Sequence, residues 1–218
     1  QTPVFNADGF LISGDEVRVN NQPLAGTHQR MSGCDPFFEG WESSSYTPTW
    51  TQGTAPITFT IENMGAASGM YALKGVGGNS THLTGLSTVL PAAQTPDYFS
   101  WKVKKESVLT ASSYVVIGNS SISATNCIVF SYNNLSATLR FVSSITLDIP
   151  VLLNTWYTVE LKNVDYSAHT FDIYLDGVLQ QTGFPFRGPT IGDMDRIHLY
   201  NFNGGSIGFW DDIKVCQE

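Results

Sequence analysis

Apolar residues in this chain recur at every second position, in short runs broken by Gly, Pro, Asn and Ser, and nowhere does a 3.6-residue period persist for three turns. That pattern restricts the chain to strands, because successive side chains on a strand point to opposite faces and only alternation gives a strand one apolar side. The runs predict strands at Ile57 to Glu62, Met70 to Lys74, Tyr98 to Lys104, Tyr114 to Gly118, Cys127 to Tyr132, Thr138 to Val142, Trp156 to Lys162, Thr170 to Leu175, Arg196 to Tyr200 and Ser206 to Val215. Alternation also assigns faces. Tyr157, Val159 and Leu161 share a core face with Phe171, Ile173 and Leu175, while Thr158, Glu160, Asp172 and Tyr174 point outward. Between two apolar runs, Asp176-Gly177 predicts a tight hairpin.

The 218 residues read as a single all-β domain of two facing antiparallel sheets, with residues 1 to 33 as an irregular extension packed on a core of residues 34 to 218. Charged residues make up only 14% and aromatics 12%, a profile suited to many short strands joined by turns. A formal charge of −8 repels phosphate backbones, which argues against a nucleic-acid partner. No apolar run approaches the roughly 20 residues of a membrane-spanning helix, so no membrane insertion is expected. The chain begins at Gln1 and not at Met, which reads as an exported chain whose leader is gone: secreted or extracellular, associated with a cell surface.

Three cysteines, Cys34, Cys127 and Cys216, match no zinc-site spacing. Cys34 opens the first core segment and Cys216 follows the last strand, so the preferred reading is a Cys34–Cys216 disulfide with Cys127 free near the core. Three reduced thiols are the alternative.

Asn154-Thr155-Trp156-Tyr157-Thr158-Val159-Glu160-Leu161, followed by Phe171-Asp172-Ile173-Tyr174-Leu175-Asp176-Gly177, resembles laminin-G-like and other concanavalin A-like jelly rolls. Phe38-Glu39, Ser68 to Leu73, and Phe209-Trp210-Asp211-Asp212-Ile213-Lys214-Val215 resemble the same group. The resemblance covers about residues 34 to 216. It implies a two-sheet antiparallel jelly-roll sandwich, of the kind found in carbohydrate-binding modules and exported bacterial adhesin-like surface proteins. It also implies a structural calcium ion where the first and last strands meet, with Glu39, the backbone at Ser68 and Gly69, and Asp211 or Asp212 as hard oxygen ligands. The alternative for that cluster is an Asp at a sheet edge paired with backbone amides or Lys.

The fold hosts lectins, glycosidases, lyases, adhesins and spacers, so a functional claim must rest on a site. The Glu-x-Asp-x-x-Glu run of glycosidases of this fold is absent. Lyases of the fold use a Tyr with a His or Gln on an outward sheet face, and Arg196, His198 and Tyr200 share one face of a strand whose other face carries Ile197 and Leu199. No Gly-x-Ser-x-Gly elbow, His-Glu-x-x-His or phosphate loop occurs, and His28, His82 and His169 stand isolated. For sugar binding, Trp41, Tyr46 and Trp50 lie in a Ser/Thr-rich segment without alternation, and Phe184-Pro185-Phe186-Arg187 forms a candidate lip. A core role is the alternative for Trp41 and Trp50. Asn79-Ser80-Thr81, Asn119-Ser120-Ser121 and Asn134-Leu135-Ser136 match the N-glycosylation acceptor pattern.

These residues favour a non-catalytic carbohydrate-binding or cell-surface adhesion module. A polysaccharide lyase or glycosidase and a structural component of an exported assembly are the competing readings.

Overall fold

The computed structural model describes residues 37–216 except 48, 55, 64 and 107–109, and of the first 36 residues it describes only the backbone of a few short strands. The strands are β1 (Val4–Phe5), β2 (Leu11–Ser13), β3 (Arg18–Val19), β4 (Gln22–Pro23), β5 (Phe37–Glu39), β6 (Thr51–Gln52), β7 (Ile57–Glu62), β8 (Ala72–Gly77), β9 (Leu86–Gln94), β10 (Tyr98–Lys105), β11 (Ser112–Gly118), β12 (Val129–Asn134), β13 (Thr138–Val142), β14 (Thr146–Pro150), β15 (Trp156–Asp165), β16 (Thr170–Leu175), β17 (Val178–Pro185), β18 (Met194–Tyr200) and β19 (Ile207–Cys216). No helix occurs among the described residues.

Two antiparallel sheets face each other. An eight-stranded sheet runs β17-β16-β15-β10-β19-β8-β7, with β5 also paired to β19, and a seven-stranded sheet runs β14-β13-β12-β11-β18-β9-β6. Apolar side chains of alternate positions meet between them: Phe99, Trp101, Val103, Val159, Leu161 and Ile173 from the first, Val115, Ile117, Leu139, Phe141, Ile197 and Leu199 from the second. Trp101 and Phe141 touch across the gap with ring centroids 6.4 Å apart. Burying each large apolar side chain stabilises the fold by about 1.5–3 kcal/mol, and this layer is the main cohesive force between the sheets. The β16–β17 hairpin closes as predicted: Leu175 pairs with Val178, and Asp176 and Gly177 have φ of 48° and 76°, the left-handed pair a type I′ turn requires.

Two features depart from simple alternation. β9 was not predicted because Pro91 interrupts it. Pro lacks the N–H a ladder needs, and it falls in the irregular stretch between Val89 and Gln94 where the β18–β9 register shifts. In β19, strict alternation would put Phe209, Asp211 and Ile213 on one face. A bulge opposite Ser100 and Lys102 inserts an extra residue, with Asp212 at φ 45°. The phase therefore slips, so that Trp210 and Ile213 both enter the core, while Phe209 turns to the outer side beneath Lys104 Nζ, 4.0 Å from its ring centroid.

Cys127 is a buried free thiol, and burial pushes its pKa up to about 12. Cys216 ends β19 and is also buried. Cys34 lies outside the described residues, so the Cys34–Cys216 bond is carried forward as a proposal. Peptide mapping without reductant should recover Cys34 and Cys216 in one linked peptide, with Cys127 alkylated only after denaturation. Alkylation of all three thiols in the native protein contradicts it.

Candidate functional site on the outer face of the seven-stranded sheet

Because Val115, Ile117, Ile197 and Leu199 fill the gap between the sheets, their neighbours Tyr114, Val116, His198 and Tyr200 face away from it. Register carries that face sideways. Tyr114 lies opposite Tyr200 of β18, and Tyr132 of β12 lies opposite Arg140 of β13, which in turn lies opposite Asp148 of β14. Three tyrosines thus stack across three adjacent strands, with Tyr114 4.6 Å from Tyr200 and 4.4 Å from Tyr132, both nearly parallel.

Loops roof part of this row. His82, from the β8–β9 loop, stacks on Phe202 at 4.5 Å and meets Phe130 edge-on at 5.4 Å. Its Nδ1 shares a 2.9 Å hydrogen bond with the Tyr200 hydroxyl. Arg187, from the β17–β18 loop, lays its guanidinium over Phe130 at 4.1 Å. Tyr114 and Tyr200 are consequently buried, while Tyr132, His82, Phe202 and Arg187 remain half-exposed.

Charge is sorted between the sheets. Lys74, Lys102, Lys104, Lys105, Lys162 and Lys214 all lie on strands of the eight-stranded sheet, whereas Arg140, Arg187 and Arg196 flank the tyrosine row. Arg140 makes a two-pronged pair with Asp148 at 2.7 and 2.6 Å, which raises its own pKa and lowers that of Asp148. Arg196 Nε approaches Asp195 at 3.3 Å without hydrogen-bond alignment. Arg187 has no carboxylate partner among the described residues.

Burial, then the Arg187 charge, lowers the His82 pKa. Burial, then the Arg196 charge, pulls His198 down to about 4. Neither His198 ring nitrogen finds a hydrogen-bond partner among the described residues. Burial foremost, and then neighbouring tyrosines, push the Tyr114 and Tyr200 hydroxyls well above the ordinary phenol range. Both phenols therefore stay protonated at neutral pH.

The predicted Arg196, His198 and Tyr200 row does share one outward strand face. Tyr200, however, is sealed beneath His82 and Tyr114 and not presented to solvent. His82 is not isolated but the keystone of the roof. Trp41 and Trp50 correct the expectation of an exposed platform: both are fully buried, 5.4 Å apart, and Glu39 holds them through Trp41 N at 2.8 Å and Trp50 Nε1 at 3.2 Å. Tyr46 packs against Phe59 and donates to Gln52. Phe184 and Phe186 are likewise buried, packed on Phe171, so of the proposed lip only Pro185 and Arg187 are half-exposed. Sequence reading missed Tyr114, Tyr132, Phe130 and Arg140. Their period-two spacing was visible, but their grouping depends on cross-strand register.

No family model matches the chain, and no curated protein matches it. Solved structures do. A cellulose-induced protein, Cip1, superposes with a TM-score of 0.61 at 15% identity, over 84% of this chain and 98% of that one. An endo-β-1,4-glucuronan lyase from the fungus Trichoderma reesei gives 0.52 at 14% identity, over 84% and 95% of the two chains. A sialidase gives 0.57 at 10% identity over 82% of this chain, which spans 18% of the sialidase chain. The fold is concanavalin A-like.

At the other place where the resemblance implied a site, the seam of this concanavalin A-like sandwich, Glu39 lies opposite Ile213, and the 65–69 loop reaches Asp211. The fully buried Asp211 accepts hydrogen bonds from Ala67 N at 2.9 Å, Ser68 N at 3.2 Å and Asp212 N at 2.8 Å. Asp212 accepts from Ser68 Oγ at 2.6 Å and Lys102 Nζ at 2.8 Å. The cluster thus contains the hydrogen bonds of the non-metal alternative, and no three carboxylate, imidazole or thiol groups converge among the described residues. Burial and the adjacent Asp212 charge nevertheless push the Asp211 carboxyl up to about 7. Gly69, at φ 61°, sits where an added Cβ would run into the Glu42 carboxylate, which itself accepts from Met70 N and Tyr71 N.

The His198 shift yields a signed expectation. Its folded pKa of about 4 lies below the unfolded value of 6.5, so its contribution to stability is present above pH 6.5 and is lost as pH falls toward 4. Denaturant melts of the wild type and His198→Phe, compared from pH 7 to pH 4, should show the variant losing less stability over that window. Parallel curves contradict the shift.

Proposed function

We propose that this protein binds an acidic polysaccharide across the outer face of the seven-stranded sheet, acting as a secreted recognition module at a cell surface or in an extracellular matrix. The observation that carries the reading is Arg187, a guanidinium set over Phe130 beside the half-exposed His82, with no carboxylate of its own among the described residues. A cation held in place without a partner suits a uronate carboxylate, which a guanidinium grips in a fork of two hydrogen bonds. Tyr132 next to it supplies an aromatic ring for sugar C–H groups. In a chain of net charge −8, Arg140 and Arg196 of this face lie against Asp148 and Asp195, which leaves Arg187 as the cation a ligand carboxylate would meet. The fold neighbours whose names concern cellulose and glucuronan accord with a carbohydrate ligand.

A second reading, a lyase on the same face, is favoured by the His82–Tyr200 hydrogen bond alone. Against it, Tyr200 is buried and its hydroxyl is hard to ionise, which is unsuited to taking a proton from a sugar carbon. A lyase would generate unsaturated, ultraviolet-absorbing ends; a binding module generates none.

Calcium at the strand seam is part of the same proposal. Glu39, Asp211, Asp212 and the backbone at Ser68 and Gly69 offer hard oxygens, and burial penalises the ionised form of the Asp211 carboxyl, a cost that a divalent cation would offset. Free calcium at about 100 times its dissociation constant should raise stability by roughly 2.7 kcal/mol, and Asp211→Asn should abolish most of the gain. Melting curves that do not differ between calcium and chelator contradict it.

For the polysaccharide, Arg187→Ala should weaken binding to a polyuronate about tenfold or more, since charge-assisted hydrogen bonds are worth about 1.5–3 kcal/mol. Rising salt should weaken the wild type further, and Lys162→Ala, on the other sheet, should bind normally. Calorimetric titration against polyuronate and a neutral glucan checks this. Equal affinity for both polymers, or full binding by Arg187→Ala, contradicts the site.

A further inference from the structure

The three Asn-x-Ser/Thr sequences differ sharply in what the fold does with their asparagine. Asn134 is buried in β12, its backbone paired with Thr138 and its Nδ2 within reach of Ser136 Oγ. Asn119 is half-buried, and its Nδ2 is tied to the Asp193 carboxylate at 2.7 Å. Asn79 stands apart. It lies in the β8–β9 loop, followed by the exposed Ser80 and Thr81. Its Oδ1 accepts from Thr81 N at 2.8 Å and from Thr84 Oγ1 at 3.3 Å, and its Nδ2 makes no hydrogen bond among the described residues. Its backbone is firmly placed, with its carbonyl accepting from Asn203 N at 2.8 Å.

We infer that Asn79 is the N-glycan acceptor of this protein, and that Asn119 and Asn134 are not. The side-chain oxygen is engaged and the nitrogen is free, so a glycan on Nδ2 costs the loop none of its hydrogen bonds. On Asn119 it would crowd the Asp193 tie, and on Asn134 it would have to displace a paired strand end. In the transfer, Asn79 Nδ2 forms a bond to the anomeric carbon of an oligosaccharide carried on a lipid pyrophosphate. The carbon–oxygen bond to the pyrophosphate breaks, the pyrophosphate leaves with that electron pair, and one amide proton is lost to a base. The inference rests on the export reading above and requires a eukaryotic secretory route. Asn79 stands three residues before His82, so the glycan would mark the edge of the roof over the tyrosine row.

The full chain, fused to a leader, is expressed in a yeast secretion host, and both cell and medium fractions are peptide-mapped after amidase release of glycans, which converts a linked Asn to Asp. Thr81→Ala removes the acceptor pattern while keeping Asn79, and Asn79→Gln removes the asparagine itself. The inference requires conversion at Asn79 in most molecules, in excess of that at Asn119 or Asn134, and loss of one glycan from both variants. An unmodified Asn79, or occupancy at Asn119 or Asn134 equal to or above it, overturns the assignment. Polyuronate binding is scored separately on the enzymatically deglycosylated protein, so failure of the binding reading leaves the glycan result legible.

Discussion

Strand β19 joins the whole sandwich to its last residues. On one side it pairs along β10; on the other it is shared by two short partners, β8 against Ile207 to Trp210 and β5 against Ile213 to Val215. Between those partners, at Asp211 and Asp212, the ladder has a gap. The bulge fits it, because the extra residue lets Trp210 and Ile213 both reach the core while the carboxylates fall where no strand is available to pair. The amides of Ala67, Ser68 and Asp212 and the Lys102 ammonium then close the gap from the side. Segments far apart in sequence meet at this one junction, so the sheet is complete only when the final strand docks. Pairings of such wide sequence separation carry a large loop-closure cost and fold slowly.

The seven-stranded sheet depends on a similar late insertion. β18 enters between β11 and β9, and by doing so places Tyr200 beside Tyr114 and His198 beside Val116. The tyrosine row is therefore a product of the topology: the consecutive strands β11 and β12 supply two rings and the distant β18 supplies the third. Loop residues His82, Phe202 and Arg187 can cover the row only because the strands beneath present a continuous aromatic surface to stack on. The same covering leaves Arg187 as a cation anchored on Phe130, which would reduce the ordering cost of the proposed binding.

Much of this fold was legible because alternation is a local signal. The inward set Val159, Leu161, Phe171 and Ile173 and the Asp176-Gly177 turn follow from period two and turn chemistry alone. The grouping of Arg196, His198 and Tyr200 on one strand face was legible for the same reason. What alternation does not carry is phase across a bulge, as at Phe209, or the depth of residues outside any strand. Trp41 and Trp50 sit in a polar stretch that gives no phase, and their burial depends on Glu39, which offers one carboxylate oxygen to each. His82 looked isolated because its partners Tyr200, Phe202 and Phe130 come from more than 45 residues away, brought in by strand order and loop packing.

The central claim is that ligand recognition belongs to the arginine-flanked outer face of the seven-stranded sheet and not to the lysine-bearing sheet behind it. Amide and side-chain NMR shifts recorded during titration with an oligouronate test it directly. The account requires the perturbed resonances to gather at His82, Tyr132, Arg140, Arg187 and Arg196. Shifts confined to Lys102, Lys162 and Lys214, or none at saturating oligouronate, contradict it.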